Sequence, residues 1–277
     1  SVTEEGGETP VLTDQEKADA IASKLTLKAS YGVDFTLPTE ATWEVVSGTG
    51  IEIVDGVAKV TKAETEQTVV LKATVKVNDK VATKEFTVVV ESLNQAAMTV
   101  AEVLALVDDA SVKVVAKVVA IYARGYVVAD NTGNVLVYFG SSFSQDFNIG
   151  DVVLVEGTKG TFNKGVQIAS PTVTASTETV ELTETAPKEL TAADLDAYAS
   201  STVVTVELVK LTGKLTISNN KYYNVAIDGT SKQGSIAYPL TGLVDSNLNG
   251  KNVVVTGYVF SVSGGRYVNI VAMSVTE

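Results

Sequence analysis

Valine and threonine occupy 81 of the 277 positions, 48 and 33 respectively, and this density of β-branched side chains constrains the chain more than any other feature. Two heavy atoms on Cβ stiffen χ1 and lower helix propensity, whereas a pleated, half-buried strand accommodates them well. An all-β protein is the expectation. With 5 prolines, a hydrophobic fraction of 45% and a mean hydropathy of +0.21, the chain has the apolar surface that packed cores need. Its length allows one large domain or two to three of ordinary size.

The chemistry open to the chain is narrow. It contains 0 His and 0 Cys, which removes Ser–His–Asp triads, Cys nucleophiles, disulfides and Cys/His zinc sites. No nucleophile elbow, phosphate-binding loop or dinucleotide fingerprint occurs. A metal would have to be held by oxygen donors. Asp108–Asp109 and Asp130–Asn131 are the candidates, but neither has the ligand spacing of a calcium loop, and Asp130 and Asn131 read as turn residues. Neither a metal site nor a cofactor is expected.

A formal charge of −12 opposes long-range capture of polyanions. The charge is unevenly shared: residues 1–95 carry −7, residues 96–188 carry −4 and residues 189–277 only −1. The last third is therefore where a local basic strip could prevail. Residues 1–10 are small, polar and acidic, and read either as a tether behind a removed signal segment or as an arbitrary edge. No run approaches the ~18 apolar residues of a membrane helix. Residues 252–265 are free of charge, but Thr256, Gly257, Ser261, Ser263 and two further glycines break the apolar run. An exported bacterial protein, extracellular or anchored at the cell surface and monomeric, is the expectation.

Local patterns divide the chain. Residues 15–25 suit a short helix capped by Thr13 or Asp14. Strand-like stretches follow at 33–37, 42–46, 51–54, 57–61, 67–77 and 84–91, with Asp55–Gly56 as a two-residue hairpin turn. Six short strands with regular turns suggest a sandwich. The runs Leu37–Pro38, Thr42–Trp43–Glu44–Val45, 56–60 and 68–75 resemble bacterial Ig-like (BIG-type) domains over about residues 25–91. That resemblance implies a secreted or surface protein in which the module spaces its neighbours. Trp43, the single Trp, reads as a core anchor between two sheets.

The remainder repeats itself. Residues 98–103 match 190–195 at an offset of 92, and 149–157 match 249–257 at an offset of 100. Thr99 with Glu102, and Thr191 with Asp194, form capping-box patterns that open each copy with a short helix. Each copy then reads as a long strand, two further strands, an irregular or short helical piece (142–147 and 240–248) and a closing pair of strands. This order describes a five-stranded Greek-key barrel of the OB type. The expected architecture is therefore an Ig-like β-sandwich followed by two such barrels. The boundaries are a tether and short helix at 1–24, the sandwich at 25–93, the first barrel at 96–178, a linker at 179–188 and the second barrel at 189–277.

Both copies resemble OB-fold modules of nucleic-acid-binding proteins, including accessory domains of bacterial extracellular proteins. The pattern is an aromatic five residues before an Asp, a basic residue just before that Asp, then a Gly turn. The second copy supplies Tyr223, Asp228 and Gly229 with Ile227 at the basic position. The first supplies Asp130 and Gly133, with Gly125 and Ala129 at the other two. The resemblance implies an extended ligand, single-stranded nucleic acid, held on aromatic platforms beside cations. The candidates in the first copy are Lys113 and Lys117, which share parity on one strand, with Arg124 and Tyr126. In the second they are Lys214, Lys221, Tyr222, Tyr223, Arg266 and Tyr267. The alternative for the lysines is edge protection, and for the aromatics core packing. Tyrosines interleaved with Asn219, Asn220 and Asn224 equally suit a glycan, which needs flat apolar faces and amides but no positive field. A structural stalk without a ligand is the third reading. Carboxylate pairs, as used for glycosidic cleavage, do not recur across the repeat: Lys251 matches Asp151 and Thr256 matches Glu156. A non-catalytic binding protein is the expected function.

Overall fold

The computed structural model describes residues 12–93 and 96–277, so the proposed tether at 1–10 lies outside the described residues. The chain divides into two compact units, residues 1–95 and 96–277. In the first, α1 (Asp14–Lys24) is capped by Thr13, whose side chain accepts from the Glu16 N–H while Glu16 reaches back to Thr13. Seven strands follow: β1 (Ser30–Tyr31), β2 (Phe35–Thr36), β3 (Thr42–Ser47), β4 (Ile51–Val54), β5 (Val57–Val60), β6 (Gln67–Val77) and β7 (Lys80–Val90). They form a four-stranded sheet, β1-β7-β6-β3, and a three-stranded one, β2-β5-β4, in a sandwich-like arrangement. Asp55 and Gly56 both have positive φ (50° and 77°), the conformation a two-residue hairpin requires. Leu37, Ile51, Ala58, Leu71 and Val88 form the core, and Trp43 packs against it with its Nε1 donating to the Pro38 carbonyl. Of the expected strand over 33–37 only β2, Phe35–Thr36, forms, because the chain bends at Gly32–Val33 after β1.

The second unit holds two closed barrels, each preceded by a short helix. In the first, α2 (Val100–Ala105) precedes β8 (Ser111–Tyr122), β9 (Gly125–Asp130), β10 (Gly133–Tyr138), β11 (Val152–Phe162) and β12 (Gly165–Ala175). They close in the order β10-β12-β11-β8-β9. In the second, β13 (Lys188–Glu189) and α3 (Ala192–Ser200) precede β14 (Glu207–Ser218), β15 (Tyr222–Ala226), β16 (Gln233–Ile236), β17 (Asn252–Ser263) and β18 (Tyr267–Thr276). Here β14 pairs with both β15 and β17, and β16 with β18 in parallel, which repeats the Greek-key order of the first. The irregular pieces expected before each closing hairpin are single 3-10 turns, Gly140–Ser142 and Ser246–Leu248. Among the described residues no helix is long and apolar enough to cross a membrane.

Both predicted capping boxes are present, at Thr99–Glu102 and Thr191–Asp194. Val100 and Val103 of α2, and Leu195 and Ala199 of α3, join the core of the barrel each helix precedes. Along β8 the burial alternates from Ser111 to Val119, as a strand with one face inward should. It then stops alternating: Ala120, Ile121 and Tyr122 are all buried, as are residues 125–129 of β9. The second buried face meets the other barrel. Ala120, Tyr122, Val127 and Leu136 of the first form one apolar cluster with Val206, Tyr258 and Val271 of the second.

The tip of the β11–β12 hairpin completes this junction. Asn163 and Lys164 both have positive φ (48° and 68°) and turn the chain tightly. The Asn163 carbonyl accepts from the Val262 N–H, the Lys164 carbonyl accepts from the Val204 N–H, and Lys164 Nζ donates to the Ala199 carbonyl in the last turn of α3. A cation at that helix end is favoured by the carbonyl dipoles. Gly165 is fixed by space alone, since a Cβ there would lie 1.9 Å from the Phe260 carbonyl oxygen.

Asp194 links helix, cap and linker. Its carboxylate accepts from the Thr191 hydroxyl and N–H and pairs with Lys188, which together lower its pKa to about 2. A depressed carboxylate pKa contributes stability that is fully present above the unfolded value near 3.8 and is lost as pH falls through about 2. Urea denaturation across that window is expected to show this acid-dependent component in the wild type and not in Asp194→Asn. At neutral pH, Thr191→Ala should cost about 1 kcal/mol.

Candidate functional site

Beside the junction the barrels part to leave a cleft of about 660 Å³, within the ~300–1,000 Å³ that small-molecule sites commonly occupy. The second barrel supplies most of one wall through its strand register. Asn224 stands opposite Ser235, Ser235 opposite Asn269, and Asn269 opposite Ser261, a polar row across β15, β16, β18 and β17. Asn269 Nδ2 donates to Ser261 Oγ at 2.9 Å and to Ser263 Oγ at 2.6 Å, which fixes the amide in the row. Two residues from this row on the same faces, Tyr222 and Tyr267 flank it, and Lys221 completes that end. The first barrel contributes Tyr122 from the end of β8, Leu136 and Tyr138 from β10, Phe162 and Asn163 from the hairpin tip, and Gln167 from β12.

Tyr238, just beyond β16, closes the lining with Phe260. Its φ of 43° places a bulky residue in the left-handed region, an uncommon and costly conformation. Two contacts from the first barrel hold it there. The Ala123 N–H donates to the Tyr238 carbonyl at 2.9 Å, and the Arg124 guanidinium lies 4.8 Å from the ring centroid. In all, five of the chain's ten tyrosines line this one cleft, with two phenylalanines, four side-chain amides and four serines. Lys221 is the single charged residue among them.

The residues singled out from the sequence divide into three groups. Lys221, Tyr222 and Tyr267 line the cleft. Arg124 and Arg266 stand against its aromatic rings, Arg266 at 5.4 Å from Tyr267 as Lys221 is at 5.3 Å from Tyr222. The other five lie elsewhere. Lys113 and Lys117 do share one outward face of β8, and Lys113 pairs across the strand with Glu156, but neither lines the cleft. Lys214 is exposed away from the lining. Tyr223 has the opposite parity to Tyr222, so its ring packs on the interior of the second barrel.

Tyr126 requires a correction. It is 1% exposed, in the centre of the first barrel, and no base or sugar can stack on it. Phe139, Phe143 and Phe147 surround its ring, and its Oη accepts from the Asp146 and Phe147 N–H groups at 3.0 and 3.2 Å. The phenol thus anchors the loop that leads into β11. The acidic pairs considered for a metal are likewise engaged. Asp108 pairs with Lys159 and Thr161, while Asp130 accepts from the N–H groups of Thr132, Gly133 and Val100. Among the described residues no group of three or more acidic side chains could hold a metal ion.

Sequence reasoning missed Tyr122, Tyr238, Phe162, Asn163, Gln167 and Phe260, because they converge only when the barrels dock. One local cue existed: Asn163–Lys164–Gly165 is turn-forming and sits between two β-rich runs. The arrangement defines a class of site, an aromatic and amide-lined cleft shared by two Greek-key barrels. Searches of protein-family models and of curated proteins returned no match to this chain.

The two roles of tyrosine separate experimentally. Tyr126→Phe leaves two backbone N–H groups without their acceptor and is expected to lower stability by about 1–3 kcal/mol in urea denaturation. Because its ring lies away from the cleft, ligand binding at the cleft should be unchanged.

Proposed function

We propose that the protein is a non-catalytic, exported bacterial surface or secreted module whose paired barrels hold an extended glycan in the cleft between them. One observation carries this reading: the cleft combines seven aromatic rings with four amides and four serine hydroxyls, and Lys221 alone contributes charge. Sugar rings present apolar C–H faces and a periphery of hydroxyls. Tyrosine faces and amide groups match both, and neither needs a positive field. The exported setting rests on the resemblance of residues 25–91 to bacterial surface modules and belongs to the same proposal.

Single-stranded nucleic acid is the second reading, favoured by one observation: Arg124, Lys221 and Arg266 each sit against a tyrosine ring of the cleft. Phosphate neutralisation makes such binding strongly salt-dependent, whereas stacking and neutral hydrogen bonds change little with salt. Titrations of the full chain with neutral hexasaccharides and with oligo-dT, at about 50 and about 200 mM salt, distinguish them. The expected result is hexasaccharide binding that is nearly constant with salt and falls about tenfold or more in Tyr222→Ala, a loss of about 1.4 kcal/mol. Oligo-dT binding that collapses with salt would favour the second reading, and no binding to either would leave a structural spacer.

A further inference from the structure

Exposed aromatic rings are few in this chain, and they gather in one place. Tyr138, Phe162, Tyr222 and Tyr238 are the exposed ones among the described residues, and all four line the cleft. Large apolar side chains left in water at one spot mark a surface that something else covers. Phe162 is the extreme case, 64% exposed and without a hydroxyl to hydrate. The hairpin tip that carries it is pinned, because the next two residues, Asn163 and Lys164, bond the second barrel through their carbonyls.

Strand register sets the rings at two levels. On the first barrel, Tyr138 stands opposite Ala169 of β12, and Phe162 stands opposite Gly165 of the same strand. The two are four residues apart along β12, about 13 Å of strand, and Gln167 lies midway. The second barrel repeats the spacing. Tyr267 is level with Gln233, and Gln233 with Ala226, which is four residues along β15 from Tyr222. Asn224, midway along that stretch, opens the polar row. Each wall thus runs ring, amide, ring.

Contacts between the barrels bring matching levels together. The Asn163 carbonyl accepts from the Val262 N–H, and Val262 stands opposite Val268, the neighbour of Tyr267, so Phe162 belongs to the Tyr267 end. At the other end, Tyr138 stands opposite Gly125, and the adjacent Arg124 lies against Tyr238, which follows β16 on the Tyr222 side. An occupant that covers the exposed rings must therefore reach both ends and offer hydrogen-bonding groups between them. A disaccharide is too short to do so.

We propose that the cleft is a two-station site for an oligosaccharide chain. Tyr138, Tyr222 and Tyr238 stack sugars at one end, Phe162 and Tyr267 stack them at the other, and the amides bond the units between. This rests on the glycan reading above and goes further in two respects. It names the ligand class, chains longer than a disaccharide, and it makes Phe162 the platform through which the first barrel reads chain length.

The test uses the full chain and calorimetric titration with di- and hexasaccharides of the cello, xylo, manno, laminari and galacturono series. Wild type, Phe162→Ala, Phe162→Tyr and Tyr222→Ala are compared, each with a thermal melt. Wild type is expected to bind at least one hexasaccharide about tenfold or more tightly than the disaccharide of the same series. Phe162→Ala should lose about tenfold in hexasaccharide affinity, as truncation of an aromatic anchor commonly does, with the melting temperature of wild type. Phe162→Tyr keeps the ring face and should keep the affinity. A disaccharide bound as tightly as its hexasaccharide overturns the two-station inference and leaves the glycan reading standing. Unchanged affinity in Phe162→Ala, with Tyr222→Ala impaired, does the same. A loss in Phe162→Ala that comes with a lowered melting temperature and is not recovered in Phe162→Tyr makes the ring a structural contact, and overturns the proposal. A wild type that binds none of the probes overturns the glycan reading and this inference with it.

Discussion

The close approach of the β11–β12 hairpin tip to the second barrel is the contact on which the rest of the unit depends. Two backbones meet there with no room for a side chain, since a Cβ on Gly165 would collide with the Phe260 carbonyl. The neighbouring residues use that proximity. Asn163 and Lys164 present their carbonyls to Val262 and Val204, and Lys164 carries its charge to the end of α3. Backbone hydrogen bonds between barrels fix orientation more tightly than apolar contact alone, because they are directional. The apolar cluster around Tyr122 and Tyr258 then contributes the non-directional part of the association.

Docking creates the cleft, and the cleft explains features that neither barrel accounts for alone. Tyr238 adopts a left-handed backbone conformation in one barrel and is held there by Ala123 and Arg124 of the other. The polar row from Asn224 to Ser261 faces outward on a strand surface that would otherwise be ordinary solvent-exposed sheet. The net charge of −12 lies largely outside the cleft, whose lining residues carry a single positive charge. The same chain can thus be strongly acidic and still carry a nearly neutral cleft.

Much of the architecture was legible in the sequence because it is encoded in local signals and in repetition along the chain. Asp55–Gly56 and the two capping boxes act over a few residues, the β-branched density and the internal repeat are read directly along the chain, and each appears in the structure. The site was legible only in part. Lys221, Tyr222 and Tyr267, singled out because a polar-aromatic run on a strand is visible in one dimension, line the cleft. Tyr126 and Tyr223 were misplaced because an aromatic residue on a strand fits the core as well as the surface, and only register decides which. Tyr122 and Tyr238 were missed for a different reason. Their importance arises from contact between domains, which no local pattern reports. The nearest cue was the loss of alternation across Ala120–Tyr122 and Tyr126–Ala129, the pattern of strands covered on both faces.

The glycan proposal requires that one ligand be held by both barrels at once. Hydrogen–deuterium exchange of the full chain, with and without a saturating neutral hexasaccharide, tests this directly. Slowed exchange is expected on both sides of the cleft, at residues 160–167 of the first barrel and at residues 218–224 and 235–240 of the second. Protection confined to one barrel, or none at the hairpin tip, would contradict it.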